Sequence, residues 1–215
     1  MSHELKTPLT SIYAISELMS GGMVKPEDVA DFSKKISFQA DRLINIIEHI
    51  IRLSEFDESK VEKDFTTFDI FSLAQSVITS LHDKASEKSI TAQLTGQPME
   101  IKANRLLIDE MLYNLIDNGI KYNNIGGNVT IHISQESNWC KISVSDTGMG
   151  IPQKHQERVF ERFYRVDASR SKKTGGTGLG LSIVKHIVEH HRGEIFLDSV
   201  EGEGTVIICK LRIDN

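Results

Sequence analysis

The sequence predicts an α+β protein in two parts. An antiparallel helical hairpin over residues 1–60 pairs with a second copy into a dimeric four-helix bundle, and an α/β sandwich follows over residues 61–215. Three observations lead there. Apolar residues recur at helical spacing through the first sixty positions, the period changes after Asp57-Glu58-Ser59-Lys60, and beyond that point short alternating runs are interleaved with long helical ones.

Leu5, Leu9, Ile12 and Met19 mark an amphipathic helix that Gly21-Gly22 ends. Pro26-Glu27-Asp28 reads as the first turn of a second helix: proline needs no donor there, and the acids meet the positive end of the dipole. Val29, Phe32, Ile36, Leu43, Ile47, Ile50 and Leu53 then continue in near-heptad register. A lone hairpin cannot bury both of its faces, so a homodimer is expected. In the second part residues 65–70 and 90–94 read as strands, and 71–85, 106–122 and 178–191 as helices. Val129, Ile131 and Ile133 alternate, as do Ile142 and Val144, predicting neighbouring strands about a turn at Ser137-Asn138. Residues 195–200 and 205–211 close the fold as a hairpin around Glu201-Gly202-Glu203-Gly204, giving a mixed sheet.

Composition narrows the function. Hydrophobic residues make up 39% and charged residues 26%, and no apolar run approaches the roughly 18–20 residues that cross a bilayer, so no direct membrane contact is expected of this chain. A net charge of −5 argues against nucleic acid as a partner. The acidity sits mainly in residues 1–64, with 8 Lys+Arg against 12 Asp+Glu, while Arg158, Arg162, Arg165, Arg170, Lys172 and Lys173 form a local basic cluster. Cys140 and Cys209 have neither disulfide-framework nor metal-site spacing and read as buried thiols of a reducing compartment.

Four segments carry candidate chemistry. In His3-Glu4-Leu5-Lys6-Thr7-Pro8, His3 and Thr7 share a helical face, and a carboxylate adjoins an imidazole suited to nucleophilic or acid–base work; an incidental surface histidine is the plain alternative. Asn114, Asn118, Lys121 and Tyr122 line one helical stripe. Amide oxygens suit a hard cation such as magnesium, and Lys121 could offset phosphate charge; a polar surface stripe is the competing explanation. Asp146-Thr147-Gly148-Met149-Gly150, after a strand, allows a flat ligand close to the backbone, with the carboxylate accepting from an exocyclic amine, though a tight turn explains it equally well. Gly175-Gly176-Thr177-Gly178-Leu179-Gly180 enters a helix, where free N–H groups and the dipole favour phosphate. It lacks the context of a dinucleotide fingerprint, and no P-loop motif occurs.

Taken together, HELKTP, NLIDNGIKY, DTGMGIP, ERFYRVD and GGTGLGLSIVK resemble the H, N, G1, F and G2 boxes of two-component sensor histidine kinases, in family order and across nearly the whole chain. The resemblance implies a dimerisation and histidine-phosphotransfer hairpin followed by a Bergerat-type ATP-binding domain, with ATP and Mg2+ as cofactors. It implies His3 as phosphoacceptor, Glu4 as adjacent base and Thr7 as the residue that orients water in dephosphorylating a partner. It makes Asn118 the magnesium ligand with Asn114 supporting it, Lys121 and Tyr122 nucleotide contacts, and Asp146 the adenine reader in a pocket shaped by Gly148 and Gly150. Arg165 falls where the family contacts the γ-phosphate. Gly176, Thr177, Gly178, Leu179 and Gly180 match the phosphate-side turn, and residues 166–177 the ATP lid. Gly119 stands where alanine is usual, a departure expected to weaken the helix by about 1 kcal/mol. Arg192 replaces one glycine of a common pair, so the following turn is expected to differ. His186, His190 and His191 could mimic a metal cluster but are expected to be surface residues.

Related ATPases of this fold place a water-activating glutamate where this chain has Asn114. An amide cannot take a proton from water, so hydrolysis is not expected, and the γ-phosphoryl group is expected to pass to His3 and on to an aspartate of a response-regulator receiver. A nucleotide-binding scaffold without transfer, a kinase dominated by phosphatase activity through Thr7, and a serine-directed anti-sigma kinase are the alternatives; the last lacks a histidine hairpin. The chain is expected to be a cytoplasmic piece of a membrane-anchored sensor, hinged near residues 58–62.

Overall fold

The computed structural model describes residues 2–57, 65–166 and 178–213, with side chains of residues 2–4, 42, 45 and 48–57 left aside. The hinge expected near residues 58–62 and nearly all of the expected lid lie outside the described residues. Helices α1 (Ser2–Ser20) and α2 (Val29–Asp57) form the hairpin, with a single 3-10 turn, Pro26–Asp28, leading into α2. Gly22, at φ +67°, ends α1: its N–H donates to Met19 O at 3.2 Å and the Met23 N–H to Leu18 O at 3.0 Å, the paired bonds that close a helix through a left-handed residue. The apolar stripe is only partly covered within one chain. Ile46 is buried, whereas Leu9 and Ile44 are 57% and 53% exposed, and Ile47 also faces outward.

The α/β unit runs β1 (Phe65–Asp69), α3 (Ile70–Ser80), α4 (His82–Glu87), β2 (Thr91–Gly96), β3 (Glu100–Asn104), α5 (Arg105–Lys121), β4 (Asn128–Glu136), β5 (Trp139–Asp146), α6 (Gln153–Gln156), α7 (Gly180–His190), β6 (Glu194–Val200) and β7 (Gly204–Arg212). Five strands pair in the order β2-β4-β5-β7-β6, with β2 parallel to β4 and every other pair antiparallel, so the sheet is mixed as expected. Strands β1 and β3 form a separate antiparallel pair. One face of the large sheet presents Val129, Ile131, Ile133, Cys140, Ile142, Val144, Ile207, Cys209 and Leu211 to the helices, all buried. From α5 come Ile108, Met111, Leu112, Leu115 and Ile116, and from α7 Ile183, Val184, Ile187 and Val188. Each such aliphatic side chain contributes about 1.5–3 kcal/mol of burial, which fixes α5 and α7 on this face. Both cysteines are free and buried; burial pushes each thiol up to about 12, as suits inert packing groups.

Several expectations need correcting. The single helix expected over residues 71–85 breaks at Leu81 (φ −97°, ψ 3°), where the Ser80 hydroxyl takes up Val77 O and the buried Leu81 side chain turns the chain. β3 was not expected, although Ile101 and Ala103 alternate with Glu100 and Lys102; the run is too short to stand out. Gly119 is buried with a virtual Cβ only 3.2 Å from Val129 Cγ1, so the lost helix propensity is offset by close approach of α5 to β4. The turn after α7 keeps the usual pair of closing bonds, Arg192 N–H to Glu189 O and Gly193 N–H to Val188 O, with Arg192 itself left-handed at φ 52°. His186, His190 and His191 are half-buried rather than surface residues, and Phe65 stacks on His191 at 5.0 Å between ring centres. Among the described residues no cluster of metal-ligating side chains occurs.

Candidate nucleotide site

α5 carries the polar stripe. Asn104 caps it, its Oδ1 accepting the Leu106 and Leu107 N–H groups at 3.1 and 3.2 Å, so the helix starts where β3 stops. With its apolar positions turned to the sheet, Asn114, Asn118, Lys121 and Tyr122 remain half-buried on the flank. Both amides lie against the first residue of α7: a Cβ on Gly180 would sit 2.9 Å from Asn114 Oδ1 and 3.4 Å from Asn118 Nδ2. Asn114 Nδ2 donates back to Glu110 O at 2.9 Å, which fixes the amide with its oxygen toward α7. The N-cap of α7, Leu179, is apolar and offers no side-chain acceptor, so the positive end of the α7 dipole meets the paired amides.

The C-terminal turn of α5 brings cations to the same region. Burial draws the Lys121 ammonium below its ordinary range, Asp117 opposes this and the Arg165 charge adds to it. Burial raises the Tyr122 hydroxyl while Arg165 lowers it, so Arg165 stands within electrostatic reach of both residues. Asp146 closes β5 beside this turn, with its Cβ 3.6 Å from the virtual Cβ of Gly119. Its Oδ1 accepts the Gly148 N–H at 2.8 Å. Burial lifts the Asp146 carboxyl above the ordinary value, against the pull of the Gly148 and Thr205 N–H groups.

The glycines after Asp146 answer to backbone crowding. A Cβ on Gly148 would come 2.5 Å from Tyr122 O, and one on Gly150, which is left-handed at φ +63°, 2.0 Å from Val200 O. Met149 is held on both sides: its N–H donates to Tyr122 O at 3.2 Å and its carbonyl accepts the Gly202 N–H at 2.8 Å. Asp146 is therefore presented from a segment clamped between α5 and the β6–β7 turn. Gly178, at φ +73°, accepts the Phe163 N–H on its carbonyl at 2.8 Å.

The structure thus brings together Asn114, Asn118, Lys121, Tyr122, Asp146, Gly148, Gly150, Arg165, Gly178, Leu179 and Gly180 within the α/β unit. Gly176 and Thr177 lie outside the described residues. His3 and Glu4 fall on α1 with their side chains outside the description, and Thr7 is exposed on the same helix. Chemically, the arrangement offers amide oxygens for a hard cation, a helix N-terminus and cationic side chains for phosphate, and a half-buried carboxylate that can accept from an amine.

Sequence reasoning missed part of the support. Gly204, at φ +139°, would drive a Cβ to 2.0 Å from Asp146 O, and Lys88 Nζ donates to Ile120 O at 3.2 Å and to Lys121 O, closing the end of α5. Gly204 was visible only as a turn residue, and Lys88 only as one surface charge among many.

Residues 103–215 match the family model described as histidine kinase-, DNA gyrase B-, and HSP90-like ATPase, and residues 1–59 match the His Kinase A (phospho-acceptor) domain. Sensor histidine kinase WalK of Bacillus subtilis is 36% identical over 215 residues, 98% of this chain and 35% of that protein. Sensor-like histidine kinase SenX3 of Mycolicibacterium smegmatis is 36% identical over 213 residues, 98% of this chain and 55% of that protein. The chain therefore spans about a third to a half of the curated relatives it matches. The crystal structure of histidine kinase ThkA in complex with response regulator protein TrrA covers 99% of this chain and 60% of that chain with a TM-score of 0.79 at 22% identity, a likeness of fold. With a phospho-acceptor hairpin and an ATPase-type α/β unit following one another along its length, this chain belongs to the sensor histidine kinase family.

Proposed function

We propose that the chain is an ATP-dependent protein histidine kinase that phosphorylates itself on His3 and passes the group to an aspartate of a response-regulator receiver. The observation that carries this reading is the pair of amides, Asn114 and Asn118, set against the N-terminus of α7. Position 114, where related ATPases hold a carboxylate base, carries an amide whose Nδ2 is already donated to Glu110 O, so it has no means of drawing a proton from water.

In this reading Asp146 accepts a hydrogen bond from the exocyclic amine of adenine, and Gly148 and Gly150 let the ring approach the backbone. Lys121 and Arg165 meet the phosphates, as do Gly178, Leu179 and Gly180 at the start of α7, with Gly176 and Thr177 in the same turn; Tyr122 lines the site. The backbone of Gly180 lies close against both amides, and the chemistry of the Asn118 amide oxygen fits Mg2+, which binds through few protein ligands and retains water, with Asn114 steadying its neighbour. Bound there, Mg2+ would neutralise charge on the polyphosphate. A ring nitrogen of His3 attacks the γ-phosphorus, the bond to the β-phosphate oxygen breaks, ADP leaves, and Glu4 takes the ring proton. The labile P–N bond then yields the phosphoryl group to a receiver carboxylate. Thr7, exposed one turn after His3, suits the reverse role of orienting water for dephosphorylation of that receiver. The receiver partner is supported by the ThkA–TrrA complex. A homodimer is supported by the exposed apolar residues of the hairpin, which a second copy would cover. ATP as donor assigns the reaction to the cytoplasm. No described helix is long and apolar enough to cross a membrane.

Incubation with γ-labelled ATP and Mg2+ tests the reading. Label should enter the chain, survive alkali, be lost in acid, and be absent from His3→Ala, which should still bind nucleotide with unchanged affinity. Incorporation into His3→Ala would reject the acceptor, and release of free phosphate at the rate of ATP loss would reject kinase in favour of ATPase.

A further inference from the structure

Asp117 lies on α5 between the two amides and one turn before Lys121. Carboxylate and ammonium at i and i+4 on a helix pair with each other by default. Here the Asp117 charge acts on Lys121 through space, but its hydrogen bond is made elsewhere. Its Oδ1 accepts from Lys84 Nζ, on α4, at 2.8 Å. Lys84 Nζ also donates to Tyr113 Oη at 2.9 Å and sits 5.2 Å from the centre of that ring. Tyr113 and Asp117 are themselves one turn apart, so a single ammonium bridges two residues of α5 from outside the helix. The Asp117 side chain is 25% exposed and that of Lys84 54%, so the carboxylate is the sheltered partner while the ammonium stays open to water. Burial alone would lower Lys84, yet its bonds to Asp117 and Tyr113 prevail and raise it.

We propose that Lys84 is a positioning residue for nucleotide binding: by holding Asp117 it keeps that carboxylate from pairing with Lys121 and leaves the Lys121 ammonium available to phosphate. The inference rests on the reading of Lys121 as a phosphate contact. It follows from competition for one carboxylate. When Lys84 is removed, Asp117 loses its hydrogen-bonded partner in a half-buried setting, and the nearest replacement on its own helix is Lys121. An ion pair there would have to be broken, or would partly cancel the cation, each time phosphate binds.

The test measures dissociation constants of the whole chain for Mg2+–ATP and for adenosine, which lacks phosphate. Lys84→Met should weaken ATP about three- to tenfold and leave adenosine unchanged. Adding Asp117→Asn to Lys84→Met removes the competing charge and should restore ATP affinity, a rescue that a merely structural role for Lys84 would not give. Unchanged ATP affinity in Lys84→Met, equal losses for ATP and adenosine, or a double variant as weak as the single one would each overturn the proposal. Wild-type chain that binds adenosine no less tightly than ATP would instead remove Lys121 as a phosphate contact, and the proposal with it.

Discussion

His191 joins the ends of the two site helices in a way that works only for an uncharged ring. Its Nδ1 lies 2.7 Å from Ile187 O and must carry the hydrogen, while its Nε2 accepts the Asn104 N–H at 3.2 Å. Asn104 is the cap of α5, so the C-terminal end of α7 is tied to the start of α5 through one imidazole. A proton on Nε2 would oppose two donors and cancel that bond. Burial lowers the His191 pKa, and the neighbouring His190 lowers it further against the opposing Ile187 carbonyl. The folded ring therefore titrates below the ordinary value near 6.5, and the unfolded chain takes the proton first. Stability from this residue is complete above about pH 6.5 and falls as pH drops through the lower folded pKa. Replacing the ring by His191→Phe keeps an aromatic partner for Phe65 but removes both polar bonds, a loss of about 1–3 kcal/mol at pH 7.5 for the partners left buried. Denaturant unfolding followed by the fluorescence of Trp139, the single tryptophan, reads the α/β unit directly. The gap between wild type and variant should shrink by about 1 kcal/mol between pH 7.5 and 5.5, since only in wild type does the unfolded chain gain a proton at this position that the folded ring resists. Because the other histidines are common to both proteins, a gap that stays constant or widens in acid would refute the neutral-ring reasoning.

Two further substitutions probe the backbone. Gly150→Ala places a Cβ 2.0 Å from Val200 O at a left-handed residue, so the segment bearing Asp146 must shift; ATP affinity measured by calorimetry should fall at least about tenfold. Arg192→Gly relieves a left-handed arginine in a turn whose closing bonds are already made, and should raise the unfolding free energy by about 0.5–1 kcal/mol; a lower denaturant midpoint would contradict this.

Much of this site could be read before any coordinates, because its residues lie close together along the chain. Asn114 to Tyr122 is one helical stripe, and Asp146 to Gly150 is one turn after an alternating strand, so local periodicity revealed both. Their meeting was not local: that Gly180 would rest on Asn114 and Asn118 depends on α5 and α7 lying side by side on a sheet whose strands come from distant segments. The resemblance supplied that convergence where periodicity could not. β3 and the break at Leu81 escaped notice because a five-residue strand and a change of helix direction leave little trace in spacing. His191 looked like a surface residue because its role depends on Phe65 and Asn104, both distant along the chain. Lys84 escaped for the same reason: its partners are on another helix, and nothing in the order of charges marks one lysine as theirs.

The hydrogen bond from Phe163 to Gly178 brings together two points separated by fourteen intervening residues. Once the mouth of a loop is fastened, its contour length enters the free energy only logarithmically, and doubling it costs about 0.6 kcal/mol. Insertions or deletions between these two anchors should therefore be inexpensive for folding, leaving the framework that carries the anchors untouched.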